Sequence, residues 1–247
     1  MEGNPKLSAD SFPVSRLPFS GIRAVFFDAG ATLLHPQPPV EEIYAREFTQ
    51  DGVRFSQEDF VRALTRVWEE VQAEAAADRY GGVNGEQKFW FRFLSRVRRV
   101  LDGGVVSPEA FARLATHFRD PRSWEIYEDV LPALDALGQR GLPLAIVSNW
   151  DSHLPTLLED LGLHARFRTI SVSAIEEVGK PDPEIFWRTC RRMEVEPTDV
   201  LHVGDSLAED YQAARAAGLS ALLLDRTGRH PSVPDRIASL SELAARL

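Results

Sequence analysis

Short apolar runs and longer amphipathic stretches alternate along most of this chain, and the two textures call for different elements. Ala24, Val25, Phe26 and Phe27 form an apolar run closed by Asp28 and followed by Gly30. It is far shorter than the ten or more periodic positions of a helix, so residues 23–28 read as a buried parallel strand ending in a polar loop. Leu144–Ser148, residues 200–203 and residues 221–224 share that texture, and residues 167–172 are a further strand candidate. Between them, Val130–Gln139, residues 154–161, Pro183–Met193 and residues 209–217 read as helices. This alternation predicts an α/β fold: a parallel sheet of about five strands with helices on both faces.

Residues 40–118 break the alternation. Ile43, Phe48, Phe60, Leu64, Val67, Trp68 and Val71 recur mainly at three- and four-residue spacings, as amphipathic helices require. Glycines between 81 and 85 interrupt that period, which resumes with Phe89, Trp90, Phe93, Leu94 and Val97. Gly103 and Gly104 then stop a helix, and Ser107-Pro108-Glu109 starts another. The stretch therefore predicts an all-helical insertion at 39–118, with the sheet assembled from residues 1–38 and 119–247. Residues 35–39 and 119–124 would be its connections. The first 20 residues read as an irregular lead-in without the apolar core of a signal peptide.

Composition narrows the partners. With 28 Lys and Arg against 37 Asp and Glu, the formal charge of −9 argues against nucleic acid, whose phosphate backbone needs a basic surface. No apolar run approaches the roughly 20 residues that a bilayer span needs, so no membrane association is expected. A single cysteine, Cys190, excludes an intrachain disulfide and gives no support to a multi-cysteine zinc site. A cytoplasmic location is the expectation. Nothing in the pattern separates a monomer from a homodimer.

In open α/β sheets, ligands bind beyond the carboxyl ends of the strands, where strand order reverses. That rule selects Asp28, Ser148, Asn149, Lys180, Gly204 and Asp205. Asp28 and Asp205 could share a hard divalent cation such as Mg²⁺, which takes oxygen ligands and substrate phosphate. Asp210, five residues on, could support the metal loop. An ammonium at Lys180 could stabilise both an aspartate nucleophile and a transferring phosphoryl group, and Ser148 with Asn149 could donate to phosphate oxygens. Singly, each acid could equally cap a helix, Lys180 could be an exposed turn residue and Ser-Asn ordinary loop material. Together they point to a phosphoryl site.

The segments Phe26-Phe27-Asp28-Ala29-Gly30-Ala31-Thr32, Val147-Ser148-Asn149, Gly179-Lys180-Pro181 and His202-Val203-Gly204-Asp205-Ser206, with Asp210 beyond, resemble the four motifs of the haloacid dehalogenase-like superfamily. The long insertion between the first two resembles the helical cap of one subgroup. This resemblance implies a Rossmann-like core with a mobile cap and a hydrolase activity in which Asp28 forms an aspartyl-phosphate. It also implies Mg²⁺ held by Asp28, Asp205 and the backbone carbonyl of Gly30. Thr32, Ser148 and Asn149 would bind the substrate phosphoryl group, Lys180 would neutralise charge and Asp210 would support the metal loop.

Position 30 departs from the pattern. Most phosphatases of the superfamily carry an aspartate there as general acid and base, and glycine has no proton to transfer. Losing such a group costs about 10²- to 10⁴-fold in rate, least for acyl or aryl phosphates, whose leaving groups need little protonation. His35, Glu41 and Glu42 are conceivable replacements, although a hinge histidine and a solvated helix face explain them better. Tyr80 and Asn84 could reach over the site from the cap, and Phe91 could face the crevice. His202 reads as a structural strand residue and Cys190 as an unreactive helix residue. The leading expectation is a Mg²⁺-dependent phosphatase of a small phosphorylated metabolite. The alternatives are a phosphoryl-ligand binder or interaction protein with little turnover, and a metal-independent 2-haloacid dehalogenase.

Overall fold

The computed structural model describes residues 19–72 and 85–247. β1 (Ala24–Phe27) is wholly buried and pairs in parallel with β4 (Leu144–Ser148) on one side and β6 (Val200–Gly204) on the other. β5 (Thr169–Val172) continues the sheet beyond β4, while β7 (Ser220–Leu224) and the two-residue β8 (Arg236–Ile237) continue it beyond β6. The order β5-β4-β1-β6-β7-β8 makes the sheet six-stranded, one strand more than the pattern predicts. A two-residue strand is too short to carry a periodicity. Because the chain runs outward from β1 to one edge and then recrosses to the other, strand order reverses beside β1, and Asp28 stands at that point.

Alternate residues of β1 feed two cores, as the strand period of two requires. Val25 and Phe27 join Leu134, Leu137 and Leu157 on one face. Ala24 and Phe26 join Ile185, Phe186 and Met193 on the other. The first set comes from α5 (Val130–Gln139) and α6 (Leu154–Asp160), the second from α8 (Pro183–Met193). A short α7 (Ser173–Glu176) follows β5.

The inserted region is helical among the described residues: α1 (Val40–Gln50), α2 (Gln57–Gln72), α3 (Glu86–Asp102) and α4 (Pro108–Arg119). Ser107 caps α4 by accepting the Ala110 N–H at 3.0 Å, with Pro108 at the first helical position. Phe48, Phe60, Val67, Phe93 and Leu114 form a separate apolar core for these helices, closed by aromatic pairs such as Phe48–Phe60 at 6.4 Å. None of the described helices is long and apolar enough to cross a membrane.

Beside the cap the chain also forms a two-stranded ribbon that the pattern does not predict. β2 (Leu34–Pro36) and β3 (Trp124–Ile126) pair antiparallel, Leu34 opposite Ile126 and Pro36 opposite Trp124. Partners so far apart in sequence leave no local signal, so a ribbon of this kind is invisible to pattern analysis.

Candidate active site

Each side chain of the site enters from the carboxyl end of a strand. Asp28 follows β1, and its backbone N–H donates to the Val203 carbonyl at 3.0 Å, so the residue keeps the register of β6 as it leaves the sheet. Ser148 ends β4 and donates its hydroxyl to Asp28 Oδ1 at 2.9 Å. Lys180, only 2% exposed, donates from Nζ to Asp28 Oδ1 at 2.7 Å and to Asp210 Oδ1 at 2.5 Å. Both bonds to Asp28 fall on Oδ1, so Oδ2 carries neither. Asp205 follows β6 and accepts from the buried Thr32 hydroxyl at 3.4 Å.

Asn149 behaves differently from the phosphate donor expected of it. Its Nδ2 donates to the Lys180 carbonyl at 2.8 Å and to Glu209 Oε2 at 3.0 Å, while its Oδ1 accepts the Lys180 N–H at 2.8 Å. With both amide hydrogens on these partners, the side chain clamps the Lys180 backbone from its place on the cavity wall.

The Asp205–Asp210 loop is built around a close approach. A wide helical turn, Leu207–Gln212, follows Ser206 and leads into α9 (Ala213–Ala216). It folds Asp210 back so that Oδ2 accepts the Ser206 N–H at 2.9 Å and Oδ1 lies 2.9 Å from His202 Nε2. A Cβ at position 204 would stand 2.2 Å from Asp210 Cγ, so only glycine fits there.

Oxygen atoms of Asp28, Asp205 and Asp210 lie within 4.8 Å of one another. Burial and the negative charges of Asp28 and Asp210 push the Asp205 carboxyl up to about 8. Burial also raises Asp28, opposed by Lys180. Burial alone would raise Asp210 too, but Lys180 and His202 hold it well below the usual carboxylate range. Lys180 stays charged because Asp210 and Asp28 outweigh the desolvation of its ammonium. Burial keeps His202 below its ordinary value against the opposing pull of Asp210, and its Nδ1 lacks a hydrogen-bond partner. Two buried carboxylates and the half-buried Asp205 thus face one ammonium, and a hard divalent cation held by oxygen ligands would offset the surplus.

Above this charged floor lies a cavity of about 760 Å³ between the sheet and the cap, walled by Tyr44, Trp90, Phe118, Trp124 and Trp150 among others. His35, Glu41 and Glu42 are not on its wall. The His35 ring instead packs 4.5 Å from Tyr127. Phe91 turns into the cap core against Phe111. Tyr80 and Asn84 lie outside the described residues. Glu86 of the cap accepts from the Ser152 N–H at 2.7 Å and its hydroxyl at 2.9 Å, fastening cap to core beside the cavity.

Three neighbours of the site escape sequence reasoning. Glu209 and His202 act through Asn149 and Asp210, and only the fold brings them there. Trp150 directly follows Ser148-Asn149, yet nothing in that sequence says that its ring faces residue 30. A Cβ on Gly30 would meet Trp150 Cζ3 at 3.0 Å. The backbone at 30 lies outside the left-handed region, unlike that of Ala31 at φ 55°, so the restriction at 30 is one of space.

A family model described as haloacid dehalogenase-like hydrolase matches residues 22–218. Haloacid dehalogenase-like hydrolase domain-containing protein 3 of Danio rerio is 32% identical over 236 residues, covering 92% of this chain and 96% of the relative. Phosphoserine phosphatase of Thermus thermophilus is 32% identical over 159 residues, which are 61% of this chain and 64% of that enzyme. Among solved structures, a HAD phosphatase from Thermococcus onnurineus superposes with a TM-score of 0.61 at 25% identity, over 91% of this chain and 97% of that one.

Proposed function

The chain belongs to the haloacid dehalogenase-like hydrolase family, and on that premise we propose that it is a Mg²⁺-dependent phosphatase of a small phosphorylated metabolite, working through an aspartyl-phosphate on Asp28. The observation that carries this reading is the buried cluster in which Lys180 bridges Asp28 at 2.7 Å and Asp210 at 2.5 Å beside Asp205. That the Thermus and Thermococcus relatives are phosphatases supports phosphate esters as the substrate class.

Asp28 attacks the phosphorus, and the bond to the leaving-group oxygen breaks with its electron pair going to that oxygen. Water then attacks the phosphorus of the acyl phosphate, releasing phosphate and restoring the carboxylate. Lys180 favours the ionised form of Asp28 against its burial and faces the charge carried by the phosphoryl oxygens. Ser148, on the cavity wall, has the hydroxyl that would turn from Asp28 to the same oxygens, whereas Thr32 is fully buried off that wall with its hydroxyl on Asp205. Asn149 positions Lys180 through its backbone, and Asp210 holds the ammonium and the Asp205 loop. Asp28 and Asp205, with the Gly30 carbonyl, are the residues that would hold Mg²⁺. When bound, the ion supplies positive charge that polarises the phosphoryl group. The sheet at 1–38 and 119–247 and the cap at 39–118 act as two domains that enclose substrate and exclude water.

Wild-type protein with Mg²⁺ is expected to release phosphate from 4-nitrophenyl phosphate, and Asp28→Asn to lower the rate at least ~10³-fold, the scale of losing a nucleophile that acts with its partners. Equal rates in the two proteins would remove Asp28 as nucleophile. A second reading, a phosphoryl-ligand binder with little turnover, is favoured by Gly30, which has no proton to supply and whose Cβ position is crowded by the Trp150 ring at 3.0 Å. Absence of an initial burst of 4-nitrophenol from an enzyme that binds a phosphonate analogue would select it.

A further inference from the structure

The wall above Asp28 is aromatic and continuous. From Gly30 the ring contacts run from Trp150 to Trp124 at 4.9 Å, from Trp124 to Phe118 at 6.0 Å and from Phe118 to Tyr44 at 5.6 Å. All four rings line the cavity. The backbone N–H of Trp150 donates to Ser173 Oγ at 3.1 Å and its carbonyl accepts from the same hydroxyl at 3.1 Å, which holds the main chain there, while the Trp124 indole is held by Nε1 donating to the Phe118 carbonyl at 2.9 Å. Two charged groups of the cavity, Glu86 and Arg119, face each other at 4.0 Å, and Glu86 is further engaged by Ser152.

Resting on the phosphatase reading above, we propose that Trp150 and Trp124 form a leaving-group subsite, and that the substrates are phosphate monoesters of aromatic hydroxyls whose ring lies against the Trp150 indole. Two independent needs meet in one feature. The indole crowds position 30, where even a Cβ would press on Cζ3 at 3.0 Å, and as part of the cavity wall it offers an apolar ring to whatever leaves. Scission of an aryl ester suits both. The P–O bond breaks as Asp28 bonds to phosphorus, the electron pair goes to the phenolic oxygen, and the aryloxide leaves without a donated proton and takes one from water afterwards. An alkoxide would need the proton during scission, and its chain would gain less from a ring plate.

The experiment is a calorimetric titration, with Mg²⁺ present, of phenylphosphonate and methylphosphonate, which cannot turn over. The wild-type protein is expected to bind the phenyl compound about tenfold more tightly, the scale of one burial-plus-stacking contact. Trp150→Leu should reduce that ratio to about threefold or less, and Trp150→Phe should keep most of it, with circular dichroism verifying the fold of each. No aryl preference in the wild type, or an undiminished preference in folded Trp150→Leu, would overturn the proposal. Asp28→Asn should keep the preference while losing turnover. If Asp28→Asn stayed active, the nucleophile would be wrong, and the binding ratio would still judge Trp150 by itself. Gly30→Asp alone should give no gain on alkyl phosphates, whereas Gly30→Asp with Trp150→Gly should. A gain from the single variant would mean that the ring does not occupy that space.

Discussion

On the sheet side of the cavity, Lys180 meets Asp28 and Asp210 through bonds of 2.7 and 2.5 Å, while on the cap-facing side Trp150, Trp124 and Phe118 touch through ring contacts of 4.9 and 6.0 Å. Charge-assisted bonds are short and directional, so each atom on the floor has one workable position. Ring contacts tolerate offsets, so the wall sets a shape and a polarity more than a geometry. This difference matches the division of labour proposed above: a phosphoryl group that must be held in one orientation below, and a leaving group that needs only a flat apolar surface. Burial also means different things in the two settings. On the floor, partners keep Lys180 charged, whereas Cys190, buried in the apolar core on one face of the sheet and short of such partners, is driven to its neutral form.

The strongest way to break this contrast is Lys180→Met. It leaves the buried carboxylates of Asp28 and Asp210 without their ammonium, so turnover should fall by ~10³-fold or more, and unfolding in urea should show a loss of about 3 to 5 kcal/mol, the cost of stripping one partner from a buried ion pair. A variant as stable as wild type would mean that the floor is not held by charge pairing. Gly204→Ala tests geometry without touching charge. Its Cβ would stand 2.2 Å from Asp210 Cγ, whose carboxylate is pinned by Lys180, His202 and Ser206. About 1 to 3 kcal/mol of stability should be lost to overpacking, together with activity. The smallest effect concerns Cys190, whose thiol is pushed by burial from about 9 up to about 11. Between those values the unfolded chain releases a proton that the folded chain keeps, so this group's contribution to stability is complete below about pH 9 and declines as the pH rises towards 11. Labelling by a thiol reagent at pH 8 should be slow in the native protein and fast in urea. Equal rates would show that the core around Cys190 is open.

Much of the floor is legible in the chain before any coordinates. Asp28, Ser148, Lys180 and Asp205 each follow a short apolar run or stand in a polar segment beyond one, and a single topological rule gathers the ends of parallel strands into one crevice. One limit each of Val130–Gln139 and Pro183–Met193 is also legible, because Gly141 stops the first locally and Asp182 caps the second by accepting the Glu184 N–H. What Asn149 does is not. An amide beside a strand end can face a ligand or a backbone, and the fold decides by bringing Lys180 to it from 31 residues away.

The order of residues therefore determines which chemical groups are available and at which strand ends they emerge, since hydrophobic period and turn residues are local properties of the chain. Only tertiary structure decides that Pro36 pairs with Trp124, that Asp210 folds back against Gly204, and that the Trp150 indole fills the space beside Gly30. Those relations join residues whose contact depends on how sheet, ribbon and cap pack together, and packing at van der Waals distance leaves no period in the sequence from which it could be read.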